Sequence, residues 1–209
     1  MKYEGQKQRE MFDRRRNSWI KNSAYIFNAI FSDGSNIEVQ VNSEFSSSEN
    51  AFNYAEKYSK VIGQLPNILR KDVRTVWIHK GKKPFGGGNF NLLIHTDQGD
   101  EYISKGILEE TLIHEAAHTS IDAYLYPERL TNGERWIEAV EKDGSCYIST
   151  YAKDYPYRED IAELFPLYIA VKYFPDRITE ELRDIILSCC FNRIKYFDEQ
   201  DYEMNLYEN

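Results

Sequence analysis

Cysteine, histidine and basic charge are all scarce in this chain, and each scarcity narrows what it can be. Three cysteines occur among 209 residues, Cys146, Cys189 and Cys190. An odd, low count gives no disulfide framework. Cys146 can pair with either of the adjacent two, and spacing does not choose between them. No apolar run approaches the length of a membrane span. The first twenty residues are polar and charged, so no signal peptide is legible, and composition assigns no compartment. Acidic residues outnumber basic ones 34 to 26, for a net charge of -8. Such a surface repels phosphate backbones, which argues against a nucleic-acid partner. The single basic cluster, Arg14–Arg15–Arg16, reads as a solvated helix face. Repeats and low-complexity tracts are missing, and no domain boundary is visible. One domain over residues 1–209 is expected.

What is present argues for a folded globule. Hydrophobic residues make up 42% and aromatics 14%, with 16 Tyr and 11 Phe. A chain of this length buries a core without covalent staples. Residues 7–21, with Met11, Phe12, Trp19 and Ile20 among charges, suggest a short helix. The segment "AYIFNAIFSDGSNIEVQVN" reads as two strands about an Asp-Gly turn. After Ser48, "ENAFNYAEKYSKVIGQLP" places Ala51, Tyr54, Ala55, Tyr58, Val61 and Ile62 on one helical face, closed by Pro66. "VRTVWIH" and "NFNLLIHT" read as strands, "KGKKPFGGG" as the loop between them and "DQGDEYISKG" as a polar connection. In a phosphate-binding loop the lysine follows the glycines; here the lysines come first, so no nucleotide site is read there. A helix is expected over about 107–124, followed by a helical part over about 134–200. The class is α+β, with a small sheet, one central helix and a helical C-terminal part.

Two of the four histidines fall in the central helix, in "ETLIHEAAHTSID". Residues four apart on a helix share one face. His114 and His118 can therefore turn their imidazoles onto one cation, and neutral imidazole is a good zinc ligand. Glu115 can reach a water on that cation and act as its general base. This is the HExxH pattern. Leu112, Ile113, Ala116, Ala117 and Ile121 make the helix apolar. The bland reading, two satisfied polar residues on a half-exposed helix, turns on whether a third ligand exists. "YREDIAELF" offers Glu159 and Glu163, again four apart. Either can be a ligand while the other receives a histidine N–H; either can equally be a solvated helix carboxylate. His79 and His95 lie at strand ends and read as surface or packed residues. Asp122 reads as an orienting, capping or surface residue.

"HEAAH" followed by "YAKDYPYREDIAELF" resembles the gluzincin metallopeptidases of the anthrax lethal factor-like group, which includes the clostridial Pro-Pro endopeptidases. The resemblance covers about residues 90–170. It implies a zincin-like fold and a zinc-dependent, secreted peptidase acting on a polypeptide substrate; a monomer is expected. It implies Zn²⁺ bound by His114, His118 and Glu159, with Glu115 as catalytic base and Glu163 supporting a zinc histidine. Tyr151 matches the tyrosine that hydrogen-bonds the oxyanion, although the gap to Glu159 is one residue longer than usual and encloses Tyr155 and Tyr157. In that fold the strand before the active-site helix, here "NFNLLIHT", is the sheet edge that pairs an extended peptide. Two alternatives stay open: a non-catalytic or metal-binding interaction module on the same scaffold, and hydrolysis of a non-peptide amide.

Overall fold

A computed structural model describes residues 1–122, 129–200 and 202–204. Six strands form one mixed sheet: β1 (Lys2–Asp13), β2 (Ser18–Ile30), β3 (Asn36–Val41), β4 (Thr75–His79), β5 (Gly86–Gly88) and β6 (Asn91–His95). Their spatial order is β1-β2-β3-β4-β6-β5. The pairs β1/β2, β2/β3 and β5/β6 are antiparallel; β3/β4 and β4/β6 are parallel. The helices are α1 (Ser48–Gln64), α2 (Asn67–Arg70), α3 (Thr96–Ser104), α4 (Leu108–Ser120), α5 (Glu134–Lys142), α6 (Thr150–Asp154), α7 (Pro156–Tyr173) and α8 (Glu180–Asp198). The class is α+β with a mixed sheet. No described helix is long and apolar enough to cross a membrane.

The strands alternate as a two-sided sheet must. Phe27, Val39, Val41, Val76, Ile78, Leu92 and Ile94 join the main core with Ala51, Ala55, Tyr58 and Ile62 of α1 and Leu112, Ala116 and Ala117 of α4. The opposite parity, Met11, Ala24 and Ile26, forms a smaller cluster with Ile20 and Trp77. The Asp-Gly turn is as expected: Gly34 takes φ +83° and Asp33 Oδ1 accepts from Ser35 N–H and Oγ–H. Helix α1 starts one residue after its cap, Ser47, whose hydroxyl accepts from Asn50 N–H.

Several local expectations fail, each for a physical reason. Residues 7–21 are not a helix but the two arms of the β1/β2 hairpin. Its turn closes through the Asp13 carboxylate, which accepts from Arg15 N–H and Nε–H, and through Asn17 at φ 49°. The arginine cluster is therefore a hairpin tip: Arg15 reaches Glu44 and the Lys80 carbonyl, and Arg14 the Phe85 carbonyl. The glycine run is a strand rather than a loop. Strand β5 lies so close on α4 that a Cβ on Gly87 would sit 1.9 Å from the Glu115 carbonyl oxygen. It follows that "NFNLLIHT" is not the edge of the sheet; β6 lies between β4 and β5, and β5 is the edge. Finally, the polar connection contains α3, whose Gly99 admits the Tyr58 ring against the helix backbone. The expected central helix ends at Ser120, and residues 123–124 lie outside the described ones.

His79 and His95 are packed residues, both fully buried and stacked with centroids 5.5 Å apart. Asn42 places its Oδ1 against Asn22 Nδ2–H and Glu44 N–H, so its Nδ2–H donates to His79 Nδ1 at 2.9 Å. That bond requires neutral His79. Burial pushes its pKa down to about 4, only partly opposed by the Asp13 charge. Below pH ~6.5 the unfolded chain takes up a proton that the folded chain refuses, so stability falls from pH 6.5 to about 4, by about 3 kcal/mol in total. His79→Gln is expected to flatten the plot of unfolding free energy against pH in that window by about one proton. An unchanged slope in urea titrations would remove His79 from the acid limb.

Candidate metal centre

Helices α4 and α7 run antiparallel at the site: Glu159, in the first turn of α7, faces His118 and His114, and Glu163, one turn on, faces His114. Glu159 Oε2 lies 3.0 Å from His118 Nε2 and 3.5 Å from His114 Nε2. Four donors at about 2.0–2.1 Å from a tetrahedral zinc stand about 3.3–3.4 Å apart. The two observed separations bracket that edge length, and the two imidazoles offer nitrogens within 4.8 Å of each other, so the three side chains suit such an ion.

Glu115 also offers an oxygen within 4.8 Å of both imidazoles, so proximity alone admits either glutamate as the third donor. Bonding separates them. Glu159 is 4% exposed and its other oxygen, Oε1, accepts from the Tyr151 hydroxyl at 3.1 Å and from Arg158 Nε–H at 2.6 Å. The Glu115 carboxylate makes no hydrogen bond to any described residue. It stands beside the two imidazoles with neither oxygen engaged by a described donor.

The support around the imidazoles is specific. His114 Nδ1 meets Glu163 Oε1 at 3.2 Å, which leaves Nε2 for the cation. Ser149 Oγ–H donates to Glu163 Oε2 at 2.7 Å, while the same oxygen caps α6 by accepting from Ala152 N–H at 3.0 Å. Ser149 escaped the sequence reading; its signal was a serine directly ahead of "TYAKD", an N-cap position. Arg158 also escaped it. Tyr151 is the tyrosine that reaches Glu159. Tyr155 packs edge-to-face on Tyr151 with centroids 5.3 Å apart, and Tyr157 is 64% exposed. Asp122 is buried and anchors Thr131 through its N–H and hydroxyl, both at 2.9 Å, so it is structural.

The start of α7 is fixed from behind. Arg193 of α8, fully buried, pairs with Asp160 at 2.7 Å and Asp143 at 3.0 Å and donates to the Cys146 carbonyl; Trp136 Nε1–H also donates to Asp160. A disulfide joins Cys146 to Cys189, and Cys190 is free and buried. Asp160 thus faces the core while its neighbour Glu159 faces the imidazoles.

The electrostatics are those of a site short of positive charge. Burial raises the Glu115 pKa, only partly opposed by the two histidines. Burial acts the same way on Glu159, but its bonds to His114 and His118 outweigh it and hold the carboxyl below the usual range. Burial alone would lower the His114 pKa; Glu159 and Glu163 reverse that and lift it to about 10. A cleft of about 330 Å³ opens on the His114–Glu115 side, lined by Tyr102, Ile107, Tyr151, Pro166 and Leu167. A larger cavity of about 1160 Å³, between Arg70, Ser120 and Trp136, contains none of these groups. The chemistry, not the volume, marks the site.

Comparison with protein-family models, curated proteins and solved structures finds no match. The functional reading therefore rests on the residues themselves.

One zinc ion per chain is expected in calorimetric titration, and zinc at a hundred times its Kd should add about 2.7 kcal/mol to the unfolding free energy. Glu163→Gln should weaken zinc binding by roughly 10–100-fold through the loss of His114 support, and His118→Ala by more. Wild-type zinc affinity in Glu163→Gln would contradict the arrangement.

Proposed function

We propose that the chain is a zinc-dependent metallopeptidase of gluzincin type with a zincin-like fold. The observation that carries the reading is one carboxylate oxygen, Glu159 Oε2, seated 3.0 and 3.5 Å from two imidazole nitrogens of an HExxH helix. His114, His118 and Glu159 would hold the zinc, which supplies Lewis acidity toward a carbonyl and lowers the pKa of water.

The remaining chemistry belongs to the chain. Glu115, raised in pKa by burial and bonded to no described neighbour, takes a proton from the attacking water and delivers it to the leaving nitrogen. Tyr151, on α6, turns its hydroxyl from Glu159 Oε1 to the substrate oxygen, where negative charge develops. Glu163 and Ser149 keep His114 in one tautomer and one orientation. Strand β5 presents a sheet edge directly over α4, and an edge pairs an extended polypeptide through its backbone groups. The Ile107, Pro166 and Leu167 part of the cleft beside Glu115 suits an apolar peptide side chain. The disulfide agrees with an oxidising, secreted setting.

The rival reading is a metal-binding interaction module without turnover. The unbonded Glu115 carboxylate argues against it, because zinc binding alone requires no such group. Incubation of the zinc-loaded protein with a peptide library, with and without chelator, is expected to give chelator-sensitive cleavage. Glu115→Gln should lower kcat by about 10²–10⁴-fold while keeping full zinc content. Tyr151→Phe should lower it by about 10²–10³-fold. Zinc binding without any cleavage by wild type would favour the module.

A further inference from the structure

We propose that Arg158 is a positioning residue that divides the two oxygens of Glu159, one for the cation and one for itself. The inference rests on the metallopeptidase reading for its kinetic consequence only. Glu159 Oε2 faces both imidazoles, whereas Oε1 faces away and accepts from Arg158 Nε–H at 2.6 Å and Tyr151 O–H at 3.1 Å. Arg158 Nη2–H donates in turn to the Tyr151 hydroxyl oxygen at 3.2 Å, closing a three-residue ring. The guanidinium lies over the Tyr155 ring, 4.9 Å from its centroid, which sets its plane. The side chain is 51% exposed, and its only ion pair among the described residues is with Glu159. It is therefore not a fold anchor like Arg193.

Two consequences follow from this ring. A catalytic zinc with three protein ligands keeps one position open. A carboxylate with both oxygens free can take two positions and close it. With Oε1 held by a cation, Glu159 offers Oε2 alone. The second consequence concerns Tyr151, whose hydroxyl proton points at Oε1. When that proton turns to a substrate oxygen, Oε1 keeps its donor because Arg158 remains. Arg158 Nη2, donating to the phenol oxygen, also polarises the O–H bond and strengthens the bond it donates.

The test has two arms. In cobalt-substituted protein, Arg158→Gln is expected to weaken the visible absorption of the ion, the mark of a rise in coordination number as Oε1 joins it. Arg158→Lys should restore most of the wild-type spectrum. This readout needs no turnover. With a peptide that wild type cleaves, Arg158→Gln should lower kcat by about 10–100-fold with KM little changed. In a Tyr151→Phe background the loss should be smaller, because the part Arg158 exerts through the phenol is already gone. An unchanged cobalt spectrum in Arg158→Gln would overturn the division of Glu159. Equal losses with and without the Tyr151 hydroxyl would overturn the second consequence, the coupling of Arg158 to Tyr151. A raised KM at unchanged kcat would assign Arg158 to a substrate carboxylate instead. If wild type cleaves nothing, the peptidase reading fails, while the cobalt spectrum still decides the role of Arg158.

Discussion

One carboxylate oxygen pressed against two imidazole nitrogens is the constraint around which the rest of the molecule is arranged. Glu159 comes from a helix 41 residues beyond His118, so only the packing of α7 on α4 brings them together. An ionised carboxylate at 4% exposure is costly unless it is paired. Here it is paired on both sides, by the imidazoles at Oε2 and by Arg158 and Tyr151 at Oε1. On the proposed reading, a divalent cation between the imidazoles and Oε2 would complete the same balance without a proton on His114.

The scaffold supplies the precision such a centre needs. Arg193 locks Asp160 and Asp143 into a buried network, and the loss of one partner from such a network costs about 3–5 kcal/mol. Because Asp160 is held inward, the next residue back is held outward, toward α4. The bridge between Cys146 and Cys189 and the Ser149 cap hold the segment that carries Tyr151. On the other side, Gly87 lets β5 touch the backbone of Glu115 itself. Glu115 therefore stands between the sheet edge and the α4/α7 pair, and its position follows from packing rather than from hydrogen bonds to described residues.

The cluster of His114, His118, Glu159 and Glu163 was legible in the sequence because helical spacing is a strong local rule. His114 and His118, and Glu159 and Glu163, each lie one turn apart on one face. The Asp-Gly hairpin and α1 were legible for the same kind of reason. What could not be read depends on contacts distant in sequence. Three glycines carry no strand propensity, and β5 is a strand only because β6 and α4 accept it. The β5/β6 turn uses Asn89 and Phe90, both at positive φ, rather than the Asn-Gly pair that signals such turns. The β1/β2 hairpin hides behind charged strands and a turn held by a side chain. Nothing in "CCFNRIKYF" distinguishes Arg193 from a surface arginine, since its partners lie 33 and 50 residues away. Arg158 sat beside the predicted ligand, but only the folded chain shows that it holds the outer oxygen.

The most direct test is anomalous diffraction at the zinc absorption edge from crystals grown with zinc. A single peak is expected about 2.0–2.2 Å from His114 Nε2, His118 Nε2 and Glu159 Oε2. A map with no peak between those atoms, or with an ion there that Glu159 does not touch, would contradict the account.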